Sequence, residues 1–129
     1  MLKKPKDKKK PSRKNLVKKA DTAFASYIRS LSPQCTFCAR QTEHCFHIIS
    51  RSYYSVRWDE ENAVPSCAGC NMEMNYHPHK FIEFLIKQRG HEFYLTLCEK
   101  SKKQEKLYTE DLIAIAQQYT DKLANKTKI

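Results

Sequence analysis

Apolar residues in the first third of the chain recur at steps of three and four positions. The series runs from Leu16 to Leu31 and includes Ala20, Ala23, Phe24 and Tyr27. This spacing places apolar side chains on one face of a helix, and the following Ser32-Pro33 is typical of a helix end. The pattern therefore predicts an amphipathic helix from about Asn15 to Leu31.

The middle of the chain changes to strand-like patterns. The segment "CFHIIS" at 45–50 is β-branched and aromatic, which favours a short strand. The segment "RSYYSVRWDEENAVPS" at 51–66 reads as a loop that could carry a second strand or a helical turn near Asp59. A helical segment is expected to begin after Cys70.

The second half of the chain predicts three helices. Pro78 suits the first position of one helix, and Gly90 suits its end. Further helical patterns cover roughly 91–103 and 109–125, with Thr109 as a natural N-cap. The sequence thus predicts an α+β fold that is mostly helical, with helices packed around one small two-stranded element.

Charge is concentrated at the N-terminus. Residues 1–19 hold ten Lys/Arg and one Asp, a net charge of +9 out of +10 for the whole chain. Residues 1–14 contain two prolines and no apolar run, so we expect a disordered arm. Such an arm is typical of nucleic-acid binding through phosphates, although a solubilising tail or a localisation signal would look the same. The candidate contacts are Lys8, Lys9, Lys10, Arg13 and Lys14.

The length of 129 residues indicates a single domain, 15–129, behind this arm. The sequence contains no run of 18 apolar residues and no apolar segment behind the first lysines, so we expect neither a membrane span nor a secretory signal. An intracellular location is expected, where cysteines stay reduced and act as metal ligands more often than as disulfides.

Four of the six cysteines form two C-x-x-C pairs, Cys35/Cys38 and Cys67/Cys70. Four thiolates suit structural Zn²⁺, which prefers sulfur and tetrahedral geometry. A redox C-x-x-C is the alternative, but it usually comes singly beside a βαβ unit. Cys98 lies in an apolar stretch and is predicted to belong to the core, whereas Cys45, between two histidines, is a weaker rival ligand.

The two pairs are 28 residues apart, more than a plain zinc ribbon needs. The insert carries His47 on the predicted strand and Asn62 in the loop, and Asn71 follows directly after the second pair. A structural zinc knuckle requires no amide at that position. We therefore expect Asn71 to belong to a second, functional site.

These motifs together resemble the HNH, or ββα-metal, nuclease family, and more narrowly the NinG/Rap group of lambdoid-phage recombination proteins. The resemblance rests on "CTFC", "FHIISR", "RWDEEN", "CAGCN" and "YHPHKFIEFLIKQRG". It implies a zinc-stapled ββα-metal core over about 35–90, flanked by an N-terminal helix and by a helical C-terminal extension over 91–129.

The resemblance also implies a mechanism. His47 would be the general base that activates water, and Asn62 would orient it through a hydrogen bond. Asn71 would ligate a catalytic divalent ion, Mg²⁺ or Mn²⁺, that stabilises charge on the phosphate. The sequence also allows purely structural roles: a packed strand histidine for His47, a turn cap for Asn62, and a helix N-cap for Asn71.

One position departs from the family pattern. Many members have Asp or His directly before the catalytic histidine, whereas this chain has Phe46, which cannot ligate a metal. His77 and Asn75 are the candidates to complete the metal site, and His79 is a weaker one. Arg51 and Arg57 flank the strand region and are expected to contact phosphate.

The expected function is a metal-dependent DNA endonuclease with structural zinc, and the resemblance suggests branched substrates such as Holliday junctions or D-loops. It also suggests a homodimer and a location in the cytoplasm of the phage host or at its nucleoid. The C-terminal helix could supply the dimer interface or simply complete the core. The alternatives are a non-catalytic zinc module that binds nucleic acid and a protein-interaction adaptor.

Overall fold

A computed structural model describes residues 11–127. Lys8, Lys9 and Lys10, predicted to contact nucleic acid, lie outside this range. The secondary-structure elements in chain order are α1 Arg13–Ser30, β1 His44–His47, α2 Tyr54–Arg57, a 3-10 turn Glu60–Asn62, β2 Ala63–Ser66, α3 Ala68–Glu73, α4 Pro78–Arg89, α5 His91–Ser101 and α6 Thr109–Thr127. The fold is mostly helical α+β, as predicted. Within residues 11–127, none of the helices combines the length and the apolar character that a membrane crossing needs.

The sheet has two antiparallel strands, β1 and β2, with His47 opposite Ala63 and His44 opposite Ser66. Neighbouring side chains along a strand point to opposite faces. Phe46 therefore packs into the apolar cluster that contains the cysteines, whereas Cys45 faces the cluster formed by α1 and α6. His47 lies on the same face as Cys45, which places its ring beside α1.

Two apolar clusters form on opposite faces of this sheet. The first joins the thiols to the sheet and to α4 and α5, and its buried members include Phe46, Val64, Phe81, Leu85 and Leu97. The second joins α1 and α6 to the sheet through Leu16, Phe24, Ile28, Trp58 and Leu112. Trp58 is buried in this second cluster. The small sheet thus separates the two clusters, and both pack against it.

Helices α1 and α6 run in parallel along each other. Arg13 at the start of α1 donates to the Leu107 carbonyl, and Lys126 near the end of α6 donates to the Ser30 carbonyl. Leu112 and Tyr119 of α6 are buried against α1. The C-terminal helix therefore completes the core, which was one of the two roles predicted for it, while Ile113 on its outer side stays exposed.

Two boundaries differ from the sequence prediction. Helix α1 begins at Arg13, because the Ser12 hydroxyl accepts from the Asn15 amide and caps the helix there. Arg13 and Lys14 thus belong to the first turn of α1 and not to a disordered arm.

The second difference is at α6, where Thr109 is the first helical residue and not the N-cap. The Asp111 carboxylate instead accepts from the amide of Tyr108. Pro78 at the start of α4 and Gly90 at its end agree with the prediction. Segment 51–66 contains both a strand and helical turns, so neither of the two predicted options was wrong.

Candidate metal centre and the polar cavity beside it

The sulfur atoms of Cys35, Cys38, Cys67 and Cys70 lie within 4.8 Å of one another, and those of Cys38 and Cys67 are 3.5 Å apart. Tetrahedral coordination with zinc–sulfur bonds of about 2.3 Å requires sulfur–sulfur distances of roughly 3.8 Å. The cluster therefore has the donor atoms and the spacing for one zinc ion, as the two C-x-x-C pairs predict. Cys45 and Cys98 are not part of it.

Local backbone geometry brings the two pairs together. After the first pair the chain turns back through Ala39, whose φ of 63° is left-handed, and the Cys35 amide donates to the Arg40 carbonyl. The amide and hydroxyl of Thr36 both donate to the Pro65 carbonyl of β2. The first pair is thereby tied to the strand that leads directly into the second.

The second pair starts α3. The Cys67 sulfur accepts from the Cys70 amide at 3.3 Å and acts as the helix N-cap. At Cys35, burial raises the thiol pKa, but amide hydrogen bonds outweigh it and lower the pKa to about 7. Burial and the neighbouring thiols raise the pKa of Cys70. Crowded thiols of this kind become thiolates together only with a bound cation, which is the chemistry a Zn²⁺ ion supplies.

A polar cavity of about 540 Å³ opens next to the second pair. Residues from α1, β1, the loop after it and α3 line this cavity: Asp21, Ala25, Arg29, His44, Cys45, His47, Ile48, Ser50, Arg51, Asn71, Met74 and Asn75. Four predicted site residues, His47, Asn71, Asn75 and Arg51, therefore share one cavity. The Asn71 amide donates to the Cys67 carbonyl. The position of the thiol cluster therefore determines where the start of α3 lines the cavity.

His47 is half-buried, and its ring lies 5.9 Å from that of Phe24 on α1. Its Nε2 is 3.1 Å from the Arg57 carbonyl oxygen. Because a carbonyl only accepts, Nε2 must carry the proton, which leaves the lone pair on Nδ1. Burial lowers the pKa of His47 below its ordinary value. The imidazole is therefore held neutral with an unprotonated nitrogen.

Asn62 does not bond to His47, contrary to the direct hydrogen bond expected from the sequence. It is fully buried; its Oδ1 accepts from the Ile49 amide, and its Nδ2 donates to the carbonyls of Ile49 and Val56. It thus closes the loop between the two strands. Its link to His47 is indirect, because Val56 precedes Arg57, whose carbonyl accepts from the ring.

Arg57 is predicted from the sequence to contact phosphate, but in the structure its side chain is bound within the protein. Its guanidinium makes a two-bond pair with the Asp21 carboxylate, at 2.9 and 2.5 Å, and also donates to the Arg51 carbonyl. Its side chain is only 14% exposed, whereas that of Arg51 is 60% exposed and is 4.0 Å from Asp21. Of these two arginines, Arg51 alone can turn towards a ligand in the cavity.

Residues 1–128 match the family described as bacteriophage lambda NinG protein. The chain belongs to the NinG family. A search of curated proteins found no match, and no solved structure matched either. Nearly the whole of this NinG-family chain is covered, so the arm, α1 and the C-terminal helices all fall within the family as well as the central region that carries the cysteines.

The NinG-family chain does not bring His77 to the cavity, although the sequence made it a candidate ligand. Helix α3 ends at Glu73, and the chain turns there: the amides of Tyr76 and His77 both donate to the Glu73 carbonyl. His77 then precedes α4 and packs near His79, with ring centres 6.4 Å apart. Asn75, in the turn itself, does line the cavity.

The cavity residues supplied by α1 and by the start of β1 were not predicted from the sequence. Asp21, Ala25 and Arg29 follow one another at four-residue steps and form a stripe beside the buried face of α1. Charged residues at both ends of such a stripe, beside an apolar face, are visible in the sequence, but they do not show which part of the molecule the stripe will face. His44 also lies on the cavity and is exposed.

Proposed function

We propose that this NinG-family protein is a metal-dependent DNA endonuclease of the HNH type, in which a zinc-bound thiolate cluster holds the scaffold. The observation that carries the proposal is the shared cavity of His47, Asn71 and Asn75 next to that cluster. The chain order β1, β2, α3, with β1 and α3 contributing to the cavity wall, supports the same proposal. Branched recombination intermediates are the proposed substrates and a homodimer the proposed form, both by analogy with the resembled group.

His47 is suited to act as a general base. Its Nδ1 lone pair is free because Nε2–H is bound to the Arg57 carbonyl, and its lowered pKa keeps the ring neutral near pH 7. A base held in one tautomer can accept a proton from water as that water attacks phosphorus. In the same step the protonated ring becomes cationic beside a phosphate that gains negative charge.

Charge in the cavity favours a phosphodiester. Arg29 and Arg51 line it as exposed cations, and Arg29 bonds to the Ser26 hydroxyl and to no carboxylate in the described part of the chain. Asp21, the one acidic residue among the lining residues within 11–127, is paired with Arg57. The cavity therefore presents unbalanced positive charge to a ligand. This charge attracts phosphate, and the attraction weakens as the salt concentration rises.

The donors available for a catalytic Mg²⁺ or Mn²⁺ are amide oxygens and imidazole. Asn71 and Asn75 would hold the ion, together with water and substrate phosphate; the position before His47 is Phe46, which is buried and has no ligand atom. A bound divalent ion would stabilise charge on the phosphate and the leaving oxygen. Neutral oxygen and nitrogen donors favour Mn²⁺ more than a carboxylate site would.

The test compares zinc-loaded wild type with His47→Ala and His77→Ala on branched and linear DNA, with Mg²⁺ or Mn²⁺. We expect cleavage by the wild type, a loss of about 10²–10⁴-fold in His47→Ala, and wild-type rates in His77→Ala, which changes a histidine outside the cavity. Absence of cleavage by the wild type in both metals, or equal rates in His47→Ala, would contradict the nuclease proposal.

A second candidate is a zinc-stabilised module that binds nucleic acid without cleaving it. One observation favours it: among residues 11–127, the four cysteines are the only cluster of three or more His, Cys, Asp or Glu side chains able to hold a metal. A module of this kind would bind DNA with the salt dependence of a phosphate contact and show no turnover. The same cleavage assay separates the two candidates.

A further inference from the structure

Among the described residues that line the cavity, Asp21 is the only acidic one, and its carboxylate is fully engaged with two consecutive residues at the end of α2. Oδ1 accepts from Arg57 Nε at 2.9 Å and from Trp58 Nε1 at 3.0 Å, and Oδ2 accepts from Arg57 Nη2 at 2.5 Å. The Arg57 side chain is 14% exposed and that of Asp21 21% exposed. This is a largely desolvated, two-bond ion pair of the strong kind.

Helix α2 needs such an anchor. It spans only Tyr54–Arg57 and has no side-chain N-cap, and a single turn is too short to be stable alone. Besides the burial of Val56, side-chain hydrogen bonds hold it: Ser55 to the Lys100 carbonyl, Asn62 to the Val56 carbonyl, and Arg57 to Asp21. The Asp21 pair, with the bond from Arg57 to the Arg51 carbonyl, holds the residue whose own carbonyl reaches His47.

We infer that Asp21 is a positioning residue for His47. From α1, it holds Arg57 so that the Arg57 carbonyl stays 3.1 Å from His47 Nε2, and the lone pair of this cavity-lining imidazole stays on Nδ1. The inference rests on the proposed function for its catalytic meaning, but not for its structural content. It assigns the helix outside the ββα-like region a part in the reaction.

A merely structural ion pair predicts something different. It would stabilise the fold without influencing which ring nitrogen of His47 carries the proton. The chain offers a matched control in Glu60, which accepts from Lys122 at 2.6 Å and from Tyr119 at 3.3 Å. Glu60 also anchors a short turn to a long helix, but it has no contact with Arg57 or His47 among the bonds described here.

The experiment measures the tautomer of His47 by ¹⁵N NMR of the imidazole in the zinc-loaded protein, for wild type, Asp21→Asn and Glu60→Gln. We expect the Nε2–H tautomer to dominate in wild type and Glu60→Gln, and a mixture of both tautomers in Asp21→Asn. With DNA, kcat of Asp21→Asn should fall by about tenfold or more while KM changes little, as for residues that orient a functional group from behind.

If Asp21→Asn does not fold, Arg57→Lys replaces it, because lysine keeps the positive charge but cannot form the two-bond pair. A tautomer unchanged from wild type in a folded Asp21→Asn or Arg57→Lys would overturn the positioning role. A shifted tautomer in a protein whose wild type cleaves no DNA would support that role and overturn the nuclease proposal, so the two failures are distinguishable.

Discussion

The thiol cluster and the polar cavity are neighbours, yet the chain builds them in opposite ways. The cluster takes its four ligands from two short local turns, Cys35–Cys38 and Cys67–Cys70, whose spacing alone shows the donor set. The cavity collects side chains from α1, β1, a loop and α3, which are up to 54 positions apart in sequence. The first is a local motif, and the second is a product of tertiary packing.

This difference has a physical consequence. Metal binding contributes folding free energy directly, so the cluster should govern whether the domain folds. The cavity residues are mostly exposed or half-buried and should govern what the folded domain does. Asn71 joins the two regions, because it follows Cys70 directly and lines the cavity.

The largest effect should come from the cluster itself. In Cys67→Ser, we expect loss of stoichiometric zinc and of a cooperative unfolding transition, since structural zinc contributes roughly 10 kcal/mol or more in small domains, comparable to a whole domain's stability. Zinc analysis and thermal unfolding by circular dichroism check this. Cys98→Ser, outside the cluster, should keep both zinc and the transition; equal loss in both variants would contradict the assignment.

Two asparagines separate folding from function on a smaller scale. Asn62→Ala leaves the part-buried amide and carbonyl of Ile49 without their Asn62 partner and removes one donor from the Val56 carbonyl, and we expect a loss of about 3 kcal/mol in the free energy of unfolding. Asn71→Ala should change it by less than about 1 kcal/mol while removing divalent-ion binding. Urea titrations and Mn²⁺ binding measure the two. A reversed order would mean that Asn71, not Asn62, is the structural residue.

Acid should weaken the region around His47. Because burial lowers the pKa of His47 in the folded protein, the unfolded chain binds the proton more readily, and stability falls as pH drops below about 6.5, the ordinary histidine value. Above that pH the contribution is complete. Urea titrations at pH 7.5 and 5.5 should show a smaller acid-induced loss in His47→Gln than in wild type; identical losses would exclude a buried neutral imidazole.

The smallest stability effect is expected at Arg51, one of the two exposed arginines that line the cavity. Arg51→Ala should change the free energy of unfolding by no more than about 0.5 kcal/mol, yet lower the salt slope of DNA binding by about 1. Arg57→Ala should behave oppositely and cost about 2 kcal/mol, because it breaks the pair with Asp21. Fluorescence anisotropy at several salt concentrations gives the slopes, and similar behaviour of both variants would contradict the distinction.

The features that could be predicted from the sequence follow the same division between local motifs and tertiary packing. Periodicity and spacing predicted α1, the helices after Pro78 and the four cysteines of the cluster, because each is a local pattern. They could not show that Asp21 pairs with Arg57, since that contact joins positions 36 residues apart. His77 lies outside the cavity, contrary to the prediction, for a related reason. Helix α3 ends at the turn at Glu73, and the composition of that segment does not predict the turn.

The most direct test of the central claim is a titration of the zinc-loaded protein with Mn²⁺, followed by NMR of side-chain and backbone signals. The account predicts paramagnetic broadening centred on Asn71, Asn75 and His47, with one zinc per chain retained on the cysteines. Broadening centred instead on His77 and His79, or displacement of the zinc with no broadening at Asn71, would contradict it.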